Sequence, residues 1–540
     1  MLYADEITPG NIAKPDNARK ALGIYFTLKD FGASAIAYVG AWLPFCVIRT
    51  SKHRAISGGA STVVRALLRS TFITEGGGSR GARCGVLGTV YLRFSNLVCD
   101  GDAIHMITQS FASRALLPCI ACLNVFQGSA LPSADFVSLS CDDPNRFQFA
   151  TNEDIWEKAD ALTAASAAHM DRAAFAKLQT SLGLHFEPES LLWDVELRQY
   201  VKPADVLTYD GMHILLANGL LDNELTLFLP QLLAAGFPWN AITAVFEADW
   251  KTCKVFRQGR PLRGIFTEYR RSKLAKEHVF STFASEGFAL VPILGYLLWT
   301  VAIPRLRALG VDLTAQMQSF FALQSVIALI KEGKRADGAH PREVLQAIRR
   351  HLVAFKRAYP DAVCKPKNHW LWHLALQLER DGFCMDCFVG ERFNHLLKTS
   401  IRELDNTTDF EHSVTRRLLA YHLEALEHPE ANSDTLSKAV RCEELEGISV
   451  AGRHVTVAHI GLAGRFDGCV LAEGDMVRLN DVIHQVLSRL SQTSPATRPG
   501  FQARPGPRGA VWLRRGNTGW KLGGRAPLLG RRARGARSLM

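Results

Sequence analysis

Hydrophobic and polar positions change their period along the chain. Before about residue 124, short apolar runs rich in β-branched and aromatic residues alternate with one stretch of helical period. Runs of the first kind predict buried strands, and apolar residues spaced by three and four predict an amphipathic helix. Strands are predicted over residues 2–4, 36–47 and 88–99, and a helix over 61–72. This part of the chain is therefore expected to be mixed α/β.

The middle of the chain, from about residue 152 to 432, is dominated by helical periods separated by short Gly, Pro and Asp breaks. Helices are predicted over 154–181, 214–235 with a break near Pro230, 313–332, 341–358 and 414–427. The apolar stretch 288–303 is short for a membrane span and contains Pro292 and Gly295. It is predicted to be a buried core helix, and no membrane partner is expected.

Near residue 440 the pattern changes again. Short alternating segments punctuated by Gly, 447–457 and 468–479, predict a small β unit. The last fifty residues, 491–540, are rich in Gly, Pro and Arg, lack periodicity and are predicted to be disordered. This tail holds ten Arg, one Lys and no acid, so 63 basic residues minus 11 leaves 52, which equals the 52 acids. The rest of the chain is formally neutral, and its bulk charge does not indicate nucleic-acid binding.

Acidic residues stand at the ends of two predicted strands. Asp5 follows the first apolar run, and Asp100 closes the segment 88–99, with Asp102 two residues later. Carboxylates projected from neighbouring strands can hold a pair of Mg²⁺ ions for attack on a phosphodiester, because Mg²⁺ prefers hard oxygen ligands. The alternative is that these acids are solvated turn residues.

Two later clusters carry polar residues at predicted helix starts. Asp210 and His213 are three apart and would share a helix face, either to contact a phosphate or as a helix cap with a first-turn His. In the second cluster, two Lys and a His at one helix start suit phosphate contact, and a Glu-Arg pair follows at the next. Its members are Lys365, Lys367, His369, Glu391 and Arg392. Glu391 would be a metal ligand or a favourable charge at a helix N-terminus.

Twelve cysteines in 540 residues, with no leader pattern at the start, are typical of an intracellular protein with reduced thiols. They include two CxxC pairs, Cys119 with Cys122 and Cys384 with Cys387. Together the pairs would form a tetrahedral zinc site. Because 387 − 119 is 268 residues, far from zinc-finger spacing, a zinc site is not favoured.

In their order, these segments resemble the DDE-type DNA transposases of the CACTA (En/Spm-like), hAT and KDZ groups. The stretch 98–125, an Asp followed by Leu-Pro-Cys-x-x-Cys, looks like the second-Asp segment of CACTA transposases. Asp210-x-x-His213 resembles the [Cys/Asp]-x-x-His motif of these groups, and 365–393 resembles their final-Glu segment. Residues 3–11 look like a first-Asp strand.

The resemblance implies an RNase H-like core interrupted by a long helical insertion, which would fit the gap of 291 residues (391 − 100) between the second Asp and the final Glu. It divides the chain into a first part of the core, truncated at its N-terminal side (1–150), and a helical insertion (151–360). These are followed by the last core helices with the final Glu (361–432), a small β unit (433–490) and the tail (491–540).

The resemblance also implies a function, Mg²⁺- or Mn²⁺-dependent DNA cleavage and strand transfer in the nucleus. Asp5, Asp100 and Glu391 would bind the metal, with Asp102 as a substitute for Asp100. The residues expected to contact DNA are Asp210, His213, Lys365, Lys367, His369 and Arg392, whereas Cys119 and Cys122 would be structural. Expected partners are DNA and further copies of the chain.

The sequence also departs from the CACTA pattern. It begins at the first strand, without preceding DNA-binding material, and Asp-Gly-Asp-Ala lacks the Pro of the plant motif. A catalytically inactive relic, a domesticated DNA-binding protein or a helical interaction protein is therefore the alternative.

Overall fold

The computed structural model describes residues 1–427 apart from 12–13, 86–87, 112–114, 129, 245–264, 336–337 and 405–407, together with short strand pairs between 436 and 514. The chain divides into two compact units. The first comprises residues 1–249 and 259–428, and the second comprises 250–258 and 429–540. The candidate site lies in the first unit.

A five-stranded mixed sheet forms the centre of the first unit. Its strands are β1 Leu2–Ile7, β2 Ala21–Phe26, β3 Leu43–Arg49, β4 Leu97–Cys99 and β5 Leu207–Tyr209. Their order in the sheet is β3-β2-β1-β4-β5. Strand β2 is antiparallel to β1 and β3, whereas β4 is parallel to both β1 and β5. Strands β1, β4 and β5 therefore run in the same direction, and their carboxyl ends face the same edge of the sheet.

Seventeen helices of the first unit are labelled here in chain order. The first nine are α1 Gly32–Ile36, α2 Thr50–His53, α3 Gly59–Phe72, α4 Gly101–Thr108, α5 Asn152–Ala167, α6 Arg172–Leu182, α7 Pro203–Val206, α8 Gly211–Leu215 and α9 Leu220–Ala234. The others are α10 Glu268–Glu277, α11 Ala284–Leu297, α12 Ile303–Leu309, α13 Thr314–Glu332, α14 Pro341–Ala358, α15 Pro366–Asp381, α16 Phe388–Arg402 and α17 Phe410–Glu427.

The sheet is covered on its hydrophobic face by helices from the far end of the unit. Helix α16 packs on β1 and β2, and α17 packs on β3. Tyr25 of β2 and Phe393 of α16 are fully buried with their rings 4.0 Å apart between centroids. Burial of each such ring stabilises the fold by roughly 2–3 kcal/mol relative to exposure. The sheet and α16 therefore form one core although about 370 residues separate them.

Much of the fold agrees with the sequence pattern. The expected mixture of α/β and mostly helical structure is confirmed, and α14 has the predicted bounds. Of the predicted strand 36–47, only residues 43–47 belong to β3; its start is the end of α1, followed by a 3-10 turn at Val39–Ala41. Segment 88–99 is two strands, Gly88–Val90, which pairs with Ala82–Cys84, and β4.

Other expectations change. The pattern over 154–181 is divided between α5 and α6, and Pro230 lies inside α9 without ending it. Strand β1 has neighbours on both sides, so it is a central strand of the sheet.

The apolar stretch 288–303 lies in a continuous helical segment in which α11 passes through a π-helical turn, Leu298–Ala302, into α12. Within the described residues, this segment, Ala284–Leu309, is the one helix long and apolar enough to cross a membrane by length and composition. Half of its most apolar 18-residue window is buried inside the protein, which is consistent with a core helix.

The described parts of the second unit are short antiparallel strand pairs. A three-stranded sheet contains Leu436–Ser437, Ala463–Phe466 and Cys469–Ala472, and a hairpin pairs Met476–Leu479 with Val482–Gln485. In the segment 491–540, Gln502–Pro505 pairs with Val511–Arg514. The rest of that segment, predicted to be disordered, lies outside the described residues.

Candidate functional site

Three aspartates occupy equivalent positions at the carboxyl ends of the three parallel strands. The register pairs Tyr3 with Val98, and continuing it by two residues sets Asp5 beside Asp100. On the other side of β4, Tyr209 pairs with Cys99, so Asp210 is also level with Asp100. Adjacent strands lie about 4.8 Å apart, and paired residues project to the same face. The register therefore brings the three carboxylates together at one edge of the sheet.

The carboxylate of Asp5 is held by two neutral hydrogen-bond donors. Its Oδ2 accepts from the Tyr3 hydroxyl at 3.1 Å and from Asn394 Nδ2 at 2.7 Å. The amide of Asn394 is oriented in turn, because its Oδ1 accepts from the Tyr25 hydroxyl at 2.9 Å. Both bonds are accepted by Oδ2, and they fix the position of the Asp5 side chain.

Glu391 reaches the same place from α16. It lies three residues before Asn394, so both side chains are on one face of the helix. The start of α16 comes very close to β1, since a Cβ added at Gly390 would lie 2.4 Å from the Tyr3 ring. Only glycine allows this approach, which sets Glu391 over the end of β1.

The electrostatics of Asp5 reflect this crowding of acids. Burial, and to a smaller extent the negative charges of Glu391 and Asp100, together raise its pKa to about 7. Burial also raises the pKa of Asp100, although the N–H of Ala103, which donates to Asp100 Oδ1 at 2.7 Å, opposes the shift. Such a concentration of carboxylates is costly unless positive charge is supplied.

Part of that positive charge comes from His213. Its Nδ1 lies 2.5 Å from Asp210 Oδ2, and Asp210 also caps α8 by accepting from the N–H groups of Met212 and His213. Burial alone would lower the pKa of His213, but Asp210, Asp100 and Glu391 together raise it to about 9. His213 is therefore an imidazolium at neutral pH, and the predicted pair is part of the acid cluster.

Lys367, at the start of α15, borders the cluster. Its Nζ donates to the carbonyl groups of His213, Ala217 and Asn218 at 2.7–3.0 Å. Burial lowers the pKa of this ammonium, and the charges of Asp100 and other nearby acids oppose the shift. The bonds tie α15 to the end of α8 and keep a second cation near the aspartates.

The remaining residues expected at the site lie at its margin or away from it. Asp102 is exposed in the first turn of α4, two positions beyond Asp100, which caps the helix. Lys365 is exposed at the start of α15, and Arg392 is exposed with Nη2 donating to the Ala37 carbonyl at 2.6 Å. His369 is fully buried, so in this fold it cannot reach a DNA phosphate.

His369 belongs to a second cluster, which joins the first CxxC pair to α15. The ligand atoms of Cys119, Cys122, His369 and His373 all lie within 4.8 Å of one another, and all four residues are buried. His373 Nε2 is 3.3 Å from Cys119 Sγ, 3.6 Å from Cys122 Sγ and 3.2 Å from His369 Nε2. Two thiols and two imidazoles in this arrangement are a ligand set for tetrahedral Zn²⁺.

The second CxxC pair does not join that cluster. Cys387 instead lies beside Asp210 and His213, and its N–H donates to Asp210 Oδ1 at 2.8 Å. Burial raises the pKa of the Cys387 thiol well above its usual range, so the group is a neutral thiol that helps to enclose Asp210. The two CxxC pairs do not come together in a joint zinc site, which the sequence spacing did not favour, and the first pair lies beside two histidines instead.

The two clusters are mechanically connected through Trp370. A Cβ added at Gly101, next to Asp100, would lie 2.6 Å from the Trp370 ring, so α15 approaches the start of α4 closely. The Trp370 indole N–H donates to the Pro118 carbonyl at 3.2 Å, just before Cys119. The same side chain therefore contacts the segment that carries Asp100 and the segment that carries the cysteines.

Some site residues were not identified from the sequence. Asn394 could have been found, since it lies three residues after Glu391 on a predicted helix face. His373 lies four residues after His369, but nothing in the spacing connects that pair to cysteines 250 residues earlier. Tyr3 and Tyr25 give no signal beyond β propensity, because their role depends on strand pairing.

Comparisons of the chain with protein-family models, with curated proteins and with solved structures found no match. The functional interpretation therefore depends on the residues of the site.

Proposed function

We propose that the chain is a transposase-like enzyme that cleaves DNA with divalent metal ions held by Asp5, Asp100 and Glu391. The observation that carries the proposal is the in-register placement of Asp5 and Asp100 on adjacent parallel strands, with the negative charge of Glu391 close enough to raise the pKa of Asp5. Asp5, Asp100 and Glu391 are half-buried, whereas solvated turn residues would be exposed.

The topology of the sheet supports an RNase H-like core for this function. Three antiparallel strands are followed by two parallel ones in the order β3-β2-β1-β4-β5, with Asp5 inside β1 and Asp100 directly after β4. Helices α9 to α14 lie in the chain between the segments that carry Asp100 and Glu391, as expected of a helical insertion. The core would thus be assembled from the two ends of the first unit.

The donor set fits Mg²⁺ or Mn²⁺, since all three side chains offer hard carboxylate oxygens. The ligand oxygens of these three carboxylates do not all lie within 4.8 Å of one another in this structure, so a pair of ions would have to draw them closer together. When bound, such a pair would polarise the scissile phosphate and activate the attacking hydroxyl.

The residues of the chain would supply position and charge for an in-line displacement. A water or 3′-hydroxyl oxygen forms the new bond to phosphorus and gives its proton to solvent, while the bond to the leaving 3′-oxygen breaks and that oxygen takes a proton from solvent. Asp210 keeps the proton of His213 Nδ1 in place, so Nε2–H is the donor that remains for a phosphate oxygen. Lys367 adds positive charge on the same side.

We also propose that the Cys/His cluster holds a structural Zn²⁺. Two imidazole nitrogens 3.2 Å apart in a buried place are unfavourable neighbours unless a proton or a metal ion lies between them. Within the described residues, this cluster is the one with two Cys and two His converging, and all four side chains exclude water. The ion would connect the loop after α4 to α15.

The test of the enzymatic proposal is cleavage of a labelled DNA duplex and of supercoiled plasmid in Mg²⁺ or Mn²⁺. We expect the wild-type chain to cut, and Asp5→Asn and Glu391→Gln to lose at least about a hundredfold of the rate, as removal of a charge-stabilising group does in other active sites. Asp361→Asn, which removes an exposed acid outside the cluster, is the matched control.

Wild-type chain that binds metal but never cuts either substrate would overturn the enzymatic proposal. In that case an inactive, DNA-binding relic of the same fold becomes the better description. Equal cleavage by the wild-type chain and both active-site variants would indicate a contaminating nuclease and would also reject the proposal.

A further inference from the structure

One face of α14 concentrates positive charge in a body that is neutral overall. Of the eighteen residues of α14, five are basic and one, Glu343, is acidic. The five basic residues are all exposed, and they are Arg342, Arg349, Arg350, Lys356 and Arg357. At 100° per residue they fall within an arc of about 120°, so they form a single stripe, here called the α14 basic face.

The opposite face holds the helix rigidly in place. Val344, Ile348, Leu352 and Phe355 are almost completely buried, and α14 packs against α13 and α15. A helix anchored in this way presents its outer side chains on a firm support. The α14 basic face is consequently a fixed surface of the first unit.

The charges of this face are mostly uncompensated. Lys356 forms an ion pair with Asp142 at 3.1 Å. Among the described residues, no ion pair within 4.0 Å involves Arg342, Arg349, Arg350 or Arg357. The positive charge of Arg357 does contribute to lowering the pKa of Asp312, after hydrogen bonds from Thr314. Four unpaired guanidinium groups on one face repel one another in the free protein. A polyanion would relieve that repulsion.

The dimensions of the face match the backbone of a duplex. From Arg342 to Arg357 the helix rises roughly 22 Å, which corresponds to about six phosphates along one strand of B-DNA. Arginine suits this partner because its planar guanidinium group can donate two parallel hydrogen bonds to one phosphate. Gln346 is the one uncharged polar side chain within the arc of the stripe, so the contact would depend little on base sequence.

The face is also within reach of the acid cluster. Only the segment 359–365 separates the end of α14 from the start of α15, where Lys367 borders the aspartates. That segment spans at most roughly 28 Å even when fully extended. One turn of B-DNA is about 34 Å long, which exceeds that span, so the length of the connection is compatible with one duplex contacting both places.

We infer that the α14 basic face binds the phosphate backbone of double-stranded DNA and holds the duplex that is cut at the acid cluster. The choice of duplex DNA over RNA rests on the proposed function. The inference that the α14 basic face binds a polyanion rests on its charge, its exposure and its rigid support.

The experiment measures binding of a fluorescent 30-base-pair DNA duplex by the full chain, in Ca²⁺ to avoid cleavage, over a series of salt concentrations. The test variant is Arg349→Glu with Arg350→Glu. We expect at least tenfold weaker binding and a salt slope smaller by about 2, because each lost phosphate contact releases fewer counterions. Arg349→Lys with Arg350→Lys should keep most of the affinity.

The matched control is Arg172→Glu with Lys177→Glu on α6, which changes the net charge equally at exposed positions of another helix. The Arg-rich segment 491–540 is present in every protein compared, so its contribution cancels. A second reversal, Arg342→Glu with Arg357→Glu, repeats the test at the ends of the helix if the first variant unfolds.

Three results would overturn the inference: unchanged binding by both α14 variants, an equal loss in the α6 control, or α14-dependent preference for duplex RNA. The outcome is separable from that of the proposed function. A chain that binds DNA through α14 but never cuts it supports the inference and rejects the enzyme. A chain that cuts but binds independently of α14 does the reverse.

Discussion

Gln377 of α15 pairs with both backbone groups of Tyr209, the last residue of the edge strand β5. Its Oε1 accepts from the Tyr209 N–H at 2.7 Å, and its Nε2 donates to the Tyr209 carbonyl at 2.9 Å. An amide side chain thus takes the place of a sixth strand at this point. An unpaired edge would be a site for association with other strands, so the helix both satisfies and protects it.

Replacement of this amide should destabilise the first unit. Gln377→Ala leaves a buried N–H and a buried carbonyl without partners, which costs about 2–4 kcal/mol. Urea unfolding followed by circular dichroism should show the loss as a lower midpoint with an unchanged slope. Gln346→Ala on the exposed side of α14 is the control and should change stability by less than about 0.5 kcal/mol. Equal midpoints for the two variants would contradict the role of Gln377.

The strand register distinguishes between two neighbouring acids. Asp100 is level with Asp5, whereas Asp102 is exposed in the first turn of α4. Asp100→Asn should therefore lower the rate of Mg²⁺-dependent DNA cleavage at least about a hundredfold. Asp102→Asn should stay within about threefold of the wild-type rate, since its effect is that of a solvated charge. The reverse order would show that Asp102 is the ligand.

Removal of zinc should affect both stability and cleavage. Purified chain should contain about one zinc ion, and Cys119→Ser should lose it, because a four-ligand structural site tolerates no missing ligand. Through the contact of Trp370 with Gly101, the loss should also slow cleavage about tenfold. The exposed Cys84→Ser is the control for a changed thiol. Zinc-free protein with full activity and an unchanged unfolding midpoint would reject the structural role.

A buried acid in the helical part predicts a pH dependence of stability. Burial raises the pKa of Glu224 to about 8, and the nearby hydroxyl groups of Ser319 and Tyr359 offset this only in part. The folded chain then holds the proton more tightly than the unfolded chain. The stabilisation is complete below the unfolded pKa of about 4.5 and is lost as the pH rises to about 8.

Glu224→Gln removes that proton equilibrium. Relative to the wild-type chain, its free energy of unfolding should increase by on the order of 3 kcal/mol between pH 5 and pH 8. The two proteins are compared by urea unfolding at each pH, with the exposed Glu343→Gln as the control. A difference between wild-type and Glu224→Gln that stays constant with pH would show that Glu224 is ionised throughout.

The sequence predicted those parts of the fold in which local pattern and tertiary structure agree. Helix α14 has strong amphipathic period and a Pro at its first position, and its bounds match the prediction. Strand β2 was missed because ALGIYF is buried at nearly every position and shows no alternation. Strand β5 has only three residues, too few for any period to be visible.

The candidate site shows the same division. The expected Asp5, Asp100 and Glu391 could be selected because acids at strand ends and helix starts are visible locally. Register, which makes Asp5 and Asp100 neighbours, is a tertiary property and is not encoded by spacing. The meeting of Cys119 with His373 depends on how α15 packs, so sequence reasoning compared the cysteines with the wrong partners.

Helix α15 carries His369 and His373, Trp370 and Gln377 within three turns. The contacts of these side chains depend on their fixed angular positions around the helix axis. A single-residue deletion between His369 and Gln377 would rotate everything beyond it by about 100° and separate the histidines from the edge of β5. The segment 359–365 is not helical, so a change in its length would not rotate these side chains relative to one another. Length changes tolerated during divergence should accordingly accumulate before Pro366, while α15 itself stays free of insertions and deletions.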